Sequence, residues 1–503
     1  MSGSKSSLVL LLTLSLLPTA CSVGPNFVRP DPHVPAQWSK TAAGAREEAA
    51  ANADSKALAA WWTAFREPML SSLIERSAAA NLDLRSAVLR ITEARAQRQV
   101  SAAGLLPSLA ANASFARQRL SDTTATGAIF SSVGNIAVPG APAISFPNPY
   151  NQFQLGGEAT WELDLFGRVR RSVEAANADL QVSEEDERAV VVALCADVAR
   201  AYIALRGAQL RMDVTRQSLA TQGELYDLTR QRQSVGLTTE LDVANAGAQL
   251  SSTQALVPQL EGEETQDINQ LSMLMGREPD ALRAELESSR PVPQAPPELP
   301  LGLPADLARR RPDIREAEAR LHAATARIGV AVGDLFPRLT LSASGGVQAD
   351  SASNLLKWAS RFGSIGPTFE LPIFDGGRWA TVRLQNVRAQ EAALSYQQTV
   401  LGALHDVENA LAAYKADRDR GVSLAAAVAQ SRDALGLAKQ RYSSGVANFI
   451  DVLDAERTLQ QNQLSLAEST TAVASDLVAI YRALGGGWET GPPDPVVELR
   501  DQG

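Results

Sequence analysis

Apolar and polar residues alternate in four short segments of this 503-residue chain. The segments are residues 107–118, 150–165, 338–349 and 362–374. A period of two predicts β-strands that have one apolar face and one polar face. Two such strand pairs fit the wall of a barrel that has lipid outside and a wet lumen, where each strand gives a weak signal but paired strands reinforce one another.

Long helical patterns separate and follow the strands. Neither residues 171–232 nor residues 378–441 contain a proline. A helix of about 60 residues extends for about 90 Å. Helices of this length with a mixed polar surface are typical of coiled coils or helical tubes. Shorter helical patterns nearly match the long ones in summed length, so we expect one continuous helix beside two stacked shorter helices in each half.

The chain contains one long unit twice. Gly236 and Gly445 lie 209 residues apart, and Asp242 and Asp451 repeat at the same separation. Internal repetition predicts one extended structure made of two similar halves, rather than the several domains that length alone suggests.

Segment boundaries follow from this repetition. We expect a signal peptide at 1–20, a lipidated leader and equatorial segment at 21–80, a first repeat at 81–290, a Pro-rich linker at 291–311, a second repeat at 312–488 and a disordered tail at 489–503. The prolines make the linker semi-rigid and extended.

Composition removes several classes of function. A net charge of −9 argues against a nucleic-acid partner, which needs a basic surface. Three His, five Met and two Cys offer little for a metal site. The sequence has no catalytic constellation, and its glycine-rich stretches lack the Lys-Ser/Thr of a phosphate-binding loop. We therefore expect no enzyme activity, no metal and no cofactor.

The N-terminus has the features of a secretory signal. Lys5 precedes an apolar run at Leu8–Leu17, which is too short to span a bilayer. Cys21 follows this run in a sequence similar to a bacterial lipobox, although Pro18 stands where Leu is usual. We expect acylation of Cys21 and firm attachment to outer-membrane lipid; an unmodified thiol is the alternative. Cys195 lies in an apolar helical run and is predicted to be a core residue.

Several motifs occur in a fixed order along the chain. They are Cys21–Pro25, Trp61–Phe65, Leu303-Pro304, Arg310–Glu318, Arg441-Tyr442 with Gly445, Leu453–Ala455 and Ala483–Trp488. With these motifs, nearly the whole mature chain resembles the TolC-like outer-membrane factors, specifically the lipoprotein branch that serves RND-type efflux systems.

The resemblance implies an α+β membrane protein that forms a homotrimer. Each chain would contribute four strands to a twelve-stranded outer-membrane β-barrel, which continues as a long periplasmic α-helical barrel. A periplasmic adaptor (membrane fusion) protein and an RND-type inner-membrane transporter are the implied partners. Oligomerisation also follows from physics, because four strands cannot close a barrel alone and an open edge in lipid leaves backbone groups unpaired.

The resemblance assigns a periplasmic gate to Ile450, Asp451, Asp454 and Arg457. Asp451 and Asp454 are three residues apart at a helix start, so they lie on nearly one face. In a trimer they would form two carboxylate rings, with Ile450 as an apolar constriction and Arg457 near enough to pair with a carboxylate. The alternative is that Asp451 only caps the helix and meets its positive dipole end.

Tyr442 and Asp242 match positions that, in the family, link the two inner hairpins and hold the tip shut. Ala447 stands where some members carry an Arg that reinforces this link, so the link is weaker here or uses Arg457. Ordinary packing at a helix end is the alternative for Tyr442.

The two turns between helices are the predicted docking site for the adaptor. The first comprises Val235, Gly236, Leu237 and Thr238, and the second comprises Ser444, Gly445, Val446 and Ala447. Small residues let another hairpin tip approach closely, whereas a glycine with positive φ in a plain turn is the alternative. Both interpretations can hold together.

The function predicted from these features is a passive exit duct of a tripartite efflux system in the outer membrane. Its cargo would be small molecules or drugs. A channel for type I secretion and a periplasmic coiled-coil spacer lipoprotein without a pore are the alternatives. The strand pairs favour a duct, since a spacer has no use for two alternating hairpins.

Overall fold

The computed structural model describes residues 22–32, 34, 35, 38, 58–128, 148–294 and 304–490. The predicted signal peptide, Cys21, part of the Pro-rich linker (295–303) and nearly all of the predicted tail (491–503) lie outside the described residues. The chain divides into two compact units. Of the described residues, unit 1 comprises those within 22–28, 94–180 and 321–392, and unit 2 comprises those within 29–93, 181–320 and 393–490.

The described elements follow the predicted order in each half. The first half contains α1 (Pro68–Ala80), α2 (Leu82–Ala103), β1 (Ser108–Gln118), β2 (Tyr150–Leu163), α3 (Arg168–Ser234), α4 (Glu240–Gln254), α5 (Leu256–Leu274) and α6 (Arg283–Leu286). The second contains α7 (Pro304–Arg310), α8 (Pro312–Gly333), β3 (Arg338–Ala349), β4 (Arg361–Glu370), α9 (Gly376–Ser443) and α10 (Phe449–Ala483).

Two element boundaries lie close to prolines. The fourth strand ends at Glu370 rather than near 374, and Pro372, which has no N–H to donate to a ladder, follows soon after. The helix after the first turn is divided at Ala255, three residues before Pro258, because a proline cannot supply the N–H that a continuing helix needs. In the described part of the chain, no helix has the length and hydrophobicity required to cross a membrane.

Unit 1 contains one antiparallel sheet in the order β1-β2-β3-β4. The register aligns Leu109 with Ala159, Ala159 with Ala343, and Ala343 with Ile365 across all four strands. Leu109 and Ile365 are 82% and 76% exposed, respectively. Side chains alternate between faces, so the predicted apolar positions lie on one face of the whole sheet.

The other face of the sheet is polar. The row next to the apolar one aligns Glu158 with Ser344 and Ser344 with Ser364. The hydroxyls of these two serines are 2.8 Å apart. Among the described residues, the strand order leaves β1 and β4 each with one edge that no other strand pairs. A four-stranded sheet with one apolar and one polar face is therefore confirmed.

The segment after Cys21 is fixed within unit 1 by a buried arginine. Arg171 Nε donates a hydrogen bond to the Val23 carbonyl at 3.2 Å, and its Nη2 donates to Asn26 Oδ1 at 2.6 Å. Gly24 has a φ of +87° and packs so closely on Gly329 that a Cβ would lie 2.5 Å from the Gly329 Cα. Residues 22–32 form neither helix nor strand, in keeping with their prolines and glycine.

The core of unit 2 surrounds the Trp61–Phe65 turn. The Trp61 ring stacks on Tyr481 with centroids 5.1 Å apart, and Trp62 and Phe65 are also buried. Cys195 is buried in the same cluster, and burial raises the pKa of its thiol to about 12. The aromatic motif and Cys195 are therefore core residues, which confirms the prediction for Cys195.

The duplicated glycines end their helices in the same way. Gly236 and Gly445 have φ values of +72° and +73°, and the next residue donates its N–H to a carbonyl five residues back, Leu237 to Arg232 and Val446 to Arg441. This is the Schellman arrangement, in which a residue with positive φ lets the chain satisfy the last helical carbonyls. The same arrangement at each turn gives the sequence repetition a structural cause.

Replacing Gly445 with alanine tests this cause. Gly445→Ala should lower the thermal unfolding temperature, since a Cβ at positive φ costs about 1 kcal/mol. Gly436→Ala is the matched control. Gly436 lies within α9 with open space around its Cα, so alanine should raise stability by up to about 1 kcal/mol. Shifts of the same sign in the two variants would contradict the proposed cause.

Candidate functional site

The predicted gate residues lie together on the first turns of α10. Ile450 is exposed, as are Asp451, Asp454 and Arg457. The opposite side of the same turns is buried through Phe449, Val452 and Leu453, which belong to a core cluster with Tyr442. The helix period therefore separates a packed side from an exposed side that carries all four predicted residues.

Asp451 caps the helix on which it stands. The Asn448 backbone N–H donates a hydrogen bond to Asp451 Oδ2 at 3.2 Å, and the pair forms a capping box at the start of α10. The alternative considered for this residue is thus part of its role. Asp454 is one turn further on, where its carboxylate is exposed to solvent. The cap uses only one oxygen of Asp451. The carboxylate ring stays a prediction.

Arg457 bonds a side-chain amide within the chain. Its Nε donates to Gln249 Oε1 at 2.7 Å, and no ion pair of Arg457 with a carboxylate occurs among the described residues. Gln249 in turn donates to Gln460 Oε1 at 3.4 Å. Within the single chain the amide of Gln249 on α4 is thus the partner of the guanidinium, and pairing of Arg457 with a carboxylate of the predicted rings stays a prediction.

A buried polar layer, which the sequence did not predict, is connected to Arg457 through Gln249. Gln222 of α3 and Thr253 of α4 both contact Gln460 of α10, at 3.3 and 3.5 Å. All three side chains are buried. A hydrogen-bonded layer of this kind fixes the register of packed helices. Its residues have the same helical spacing as solvated polar residues, so the sequence carries no signal that separates the two.

Glu456 adds a buried acid next to this layer. Its side chain is 2% exposed, and Oε2 has no hydrogen-bond partner among the described residues. Burial raises the pKa of Glu456, although the charge of Lys439 and a hydrogen bond with Gln222 act in the opposite direction. A carboxyl group in such surroundings favours its neutral form more than an exposed one does.

Tyr442 is buried at the end of α9. Its ring lies 4.5 Å from the Arg232 guanidinium carbon and 5.7 Å from the ring of Phe449. Arg232 also donates to the Tyr442 carbonyl at 3.1 Å. The phenol oxygen is buried without a hydrogen-bond partner in the described residues. The packing given as the alternative role of Tyr442 is therefore present, while its hydroxyl has no partner in the described residues.

Asp242 has its own local partners. Its Oδ2 accepts hydrogen bonds from the Thr238 hydroxyl at 2.6 Å and from the backbone and hydroxyl of Thr239 at 3.1 and 2.8 Å. The hydrogen bond from Thr238 lowers the pKa of Asp242, although burial opposes it and Thr239 adds to the lowering. Tyr442 and Asp242 are thus not hydrogen-bonded to each other within this chain.

Both turns of the predicted docking site are exposed. Val235, Leu237 and Val446 present apolar side chains to solvent. Gly236 and Gly445 have no atoms near the place where a Cβ would stand. The turns therefore combine exposed apolar side chains with a bare backbone, which suits close contact with another polypeptide.

Comparison with known proteins identifies the family. The family model described as "Outer membrane efflux protein" matches residues 73–277 and 303–486. These two matched segments cover most of both halves. The chain therefore belongs to the outer membrane efflux protein family, and the resemblance stated from its motifs is confirmed.

Individual relatives agree over almost the full length. The chain is 35% identical to the outer membrane protein OprJ of Pseudomonas aeruginosa, over 97% of this chain and 96% of that protein. It is 32% identical to the toluene efflux pump outer membrane protein TtgC of Pseudomonas putida, over 96% of each. The solved structure of the outer-membrane channel OprN superposes with a TM-score of 0.82 at 36% identity, covering 93% of this chain and all of that one. The protein is accordingly an outer-membrane efflux protein.

The cap at Asp242 gives a prediction for local stability. Asp242→Ala removes the acceptor for Thr238 and Thr239, and loss of a helix cap costs about 1 kcal/mol, or roughly fivefold faster amide exchange over 240–254. Because the folded pKa is lowered, the cap stabilises the helix at neutral pH and is lost as the pH falls through that lowered value. Hydrogen-exchange mass spectrometry measures both effects.

Asp454→Ala is the control for this experiment. Asp454 is exposed on α10 and does not cap its helix, so exchange over 449–460 should not change. Equal acceleration in the two variants would mean that lost charge, rather than lost capping, governs these helix starts.

Proposed function

We propose that three copies of this chain form the outer-membrane exit duct of a tripartite efflux system. The observation that carries the proposal is the sheet of unit 1, which has an apolar face, a polar face and two unpaired edges. In lipid, each unpaired backbone group costs several kcal/mol, so the edges must be closed by strands from other copies. Four strands from each of three chains make the twelve-stranded barrel.

The long helices supply the periplasmic part of the duct. The 67 residues of α3 and 68 of α9 correspond to about 100 Å of helix each. Most residues of α9 are exposed in one chain, and packing of this helix against other copies would form a periplasmic α-helical barrel. The duct is passive, so an RND-type inner-membrane transporter supplies the energy and a periplasmic adaptor joins the two.

The gate of this duct is assigned to Ile450, Asp451, Asp454 and Arg457. Their shared exposure on α10 supports this assignment, since a residue that lines a lumen cannot be packed in the core. Three copies place six carboxylates close together, which favours cations and repels anions. The amide of Gln249 holds Arg457 beside these rings rather than within an ion pair.

The leftover hydroxyl of Tyr442 supports a link between hairpins. A buried hydroxyl without a partner is unfavourable by about 1–3 kcal/mol, so a shift of the turns that brings it to an acceptor of an adjacent copy would stabilise the closed tip. Asp242 keeps free lone pairs on Oδ1 for that purpose. The exposed turns around Gly236 and Gly445 are the proposed contacts of the adaptor.

Acylation of Cys21 would place a lipid anchor next to the sheet. The following residue, Ser22, packs against Gly167, four residues beyond the end of β2. A lipid on the preceding sulfur and the apolar face of the sheet would therefore enter the same bilayer. Because the sheet and the lipid would enter one bilayer, we prefer a duct to a spacer lipoprotein. Export of a protein by type I secretion would use the same duct with a different pump.

Channel recording tests the gate assignment. The double variant Asp451→Asn, Asp454→Asn keeps an oxygen acceptor for the Asn448 N–H but removes both charged rings. It should conduct more and prefer cations less than the wild-type protein in a planar bilayer. Asp433→Asn serves as the control, because Asp433 is an exposed aspartate on α9 and does not belong to the proposed gate.

Unchanged conductance and selectivity in the double variant would rule out these two residues as the gate. Absence of any conductance from purified wild-type protein would instead support the spacer lipoprotein.

Counting thiols tests acylation. The mature chain contains Cys21 and Cys195. Cys195 is protonated below its raised pKa and shielded by burial, so the folded protein should show no reactive thiol at pH 8. After denaturation, Ellman's reagent should detect one thiol for each chain. Detection of two would show that Cys21 carries no lipid.

A further inference from the structure

A buried carboxyl and a buried amide lie next to each other between α10 and α3 with incomplete hydrogen bonding. Glu456 of α10 and Gln222 of α3 are 2% and 3% exposed. Among the described residues, Glu456 Oε2 and Gln222 Oε1 have no hydrogen-bond partner. Gln222 Nε2 donates to Gln460 Oε1 at 3.3 Å, one turn beyond Glu456 on the same face of α10, and the same amide interacts with the Glu456 carboxyl. The two unpartnered oxygens therefore belong to neighbouring side chains.

The protonation state of Glu456 decides whether these two oxygens can bond each other. An ionised carboxylate only accepts hydrogen bonds, and the amide oxygen of Gln222 is also an acceptor. A protonated carboxyl has one O–H, which can donate to Gln222 Oε1. A buried polar atom without a partner is destabilising, so a single proton on Glu456 would satisfy both oxygens.

Few charged groups face Glu456 from the helices that pack around it. α9 contributes Lys439, which forms no ion pair with the carboxyl among the described residues but favours its ionised form through its charge. The buried residues of α3 and α4 in this region are uncharged, and the titratable Tyr226 of α3 packs on α4. On α10 itself, Asp454 and Arg457 lie on the exposed side.

Burial sets the direction in which the contact responds to pH. It raises the pKa of Glu456, while the charge of Lys439 and the amide of Gln222 reduce that rise. The pKa in the folded protein is therefore above the ordinary value that holds in the unfolded chain. Stability from the neutral carboxyl is fully present below that ordinary value, and it is lost as the pH rises through the raised value.

We propose that Glu456 and Gln222 form a proton-sensitive contact between the two helical hairpins, α3–α4 and α9–α10. In its protonated form Glu456 donates to Gln222 and holds α10 against α3. In its ionised form it leaves two buried acceptors side by side, and the packing of α10 on α3 loosens. The tip of the duct is consequently held more firmly in acid than at neutral pH. This last consequence rests on the proposed function, whereas the contact between the two helices does not.

Hydrogen-exchange mass spectrometry on the full-length protein in detergent tests the contact. Rates are measured from about pH 4, near the ordinary pKa of a glutamic acid, to about pH 8, and are corrected for the intrinsic pH dependence of exchange. Protection of residues 452–463 in the wild type should fall by at least about threefold over this range, which corresponds to a pKa raised by about half a unit. Glu456→Gln carries a neutral N–H donor in place of the O–H, so this fall should be absent.

Glu468→Gln is the matched control, because Glu468 is an exposed glutamate on the same helix. It should keep the pH dependence of the wild type. Other carboxyl groups titrate in the same range, so the difference between the two variants is the decisive quantity. The proposal is overturned if Glu456→Gln retains the pH dependence of the wild type, or if the control loses it equally.

Channel recording at about pH 7 tests the consequence for the tip. Glu456→Gln should open less often than the wild type, since its contact with Gln222 stays intact, and Glu468→Gln should open as the wild type does. Equal opening of all three would overturn the role in the tip. If no form conducts while the exchange rates differ as expected, the proposed duct is contradicted and the contact between the helices is supported.

Discussion

Unpaired backbone groups along the outer edges of β1 and β4 set the conditions for the rest of the molecule. The strand order gives the sheet two edges. Its exposed apolar face suits lipid, and in a bilayer no water is present to bond the backbone groups of those edges. The chain belongs to an outer-membrane family, so this condition applies to it. Assembly with further copies, proposed here as a trimer, is the physical solution.

In unit 2, a repeated turn determines what the helices can present. Gly236 and Gly445 end α3 and α9 with the same hydrogen bonds, and Asp242 and Asp451 then cap the next helices. One aspartate in each hairpin thus stabilises the start of a helix, whatever further function it has. Asp451 combines a cap with an exposed position, and the proposed gate relies on that combination. The buried layer around Gln460 keeps α3, α4 and α10 in register on the packed side of α10.

The sequence predicted those features that depend on period and position. Alternation located the strands, and the duplicated glycines located the turns. It did not predict the Gln460 layer or the burial of Glu456, because polar residues at helical spacing look the same whether they face water or another helix. Phe362 shows a related limit. It lies on the polar face of β4, where its ring reaches to within 3.4 Å of the position of a Cβ on Gly156, a contact that exists only in the folded sheet.

Native mass spectrometry of the protein released from detergent measures the number of chains directly. The account predicts a particle of three chains that keeps this stoichiometry on dilution, because separation would expose the edges of β1 and β4. A stable, folded single chain would contradict it, since the sheet would then satisfy its edges without partners.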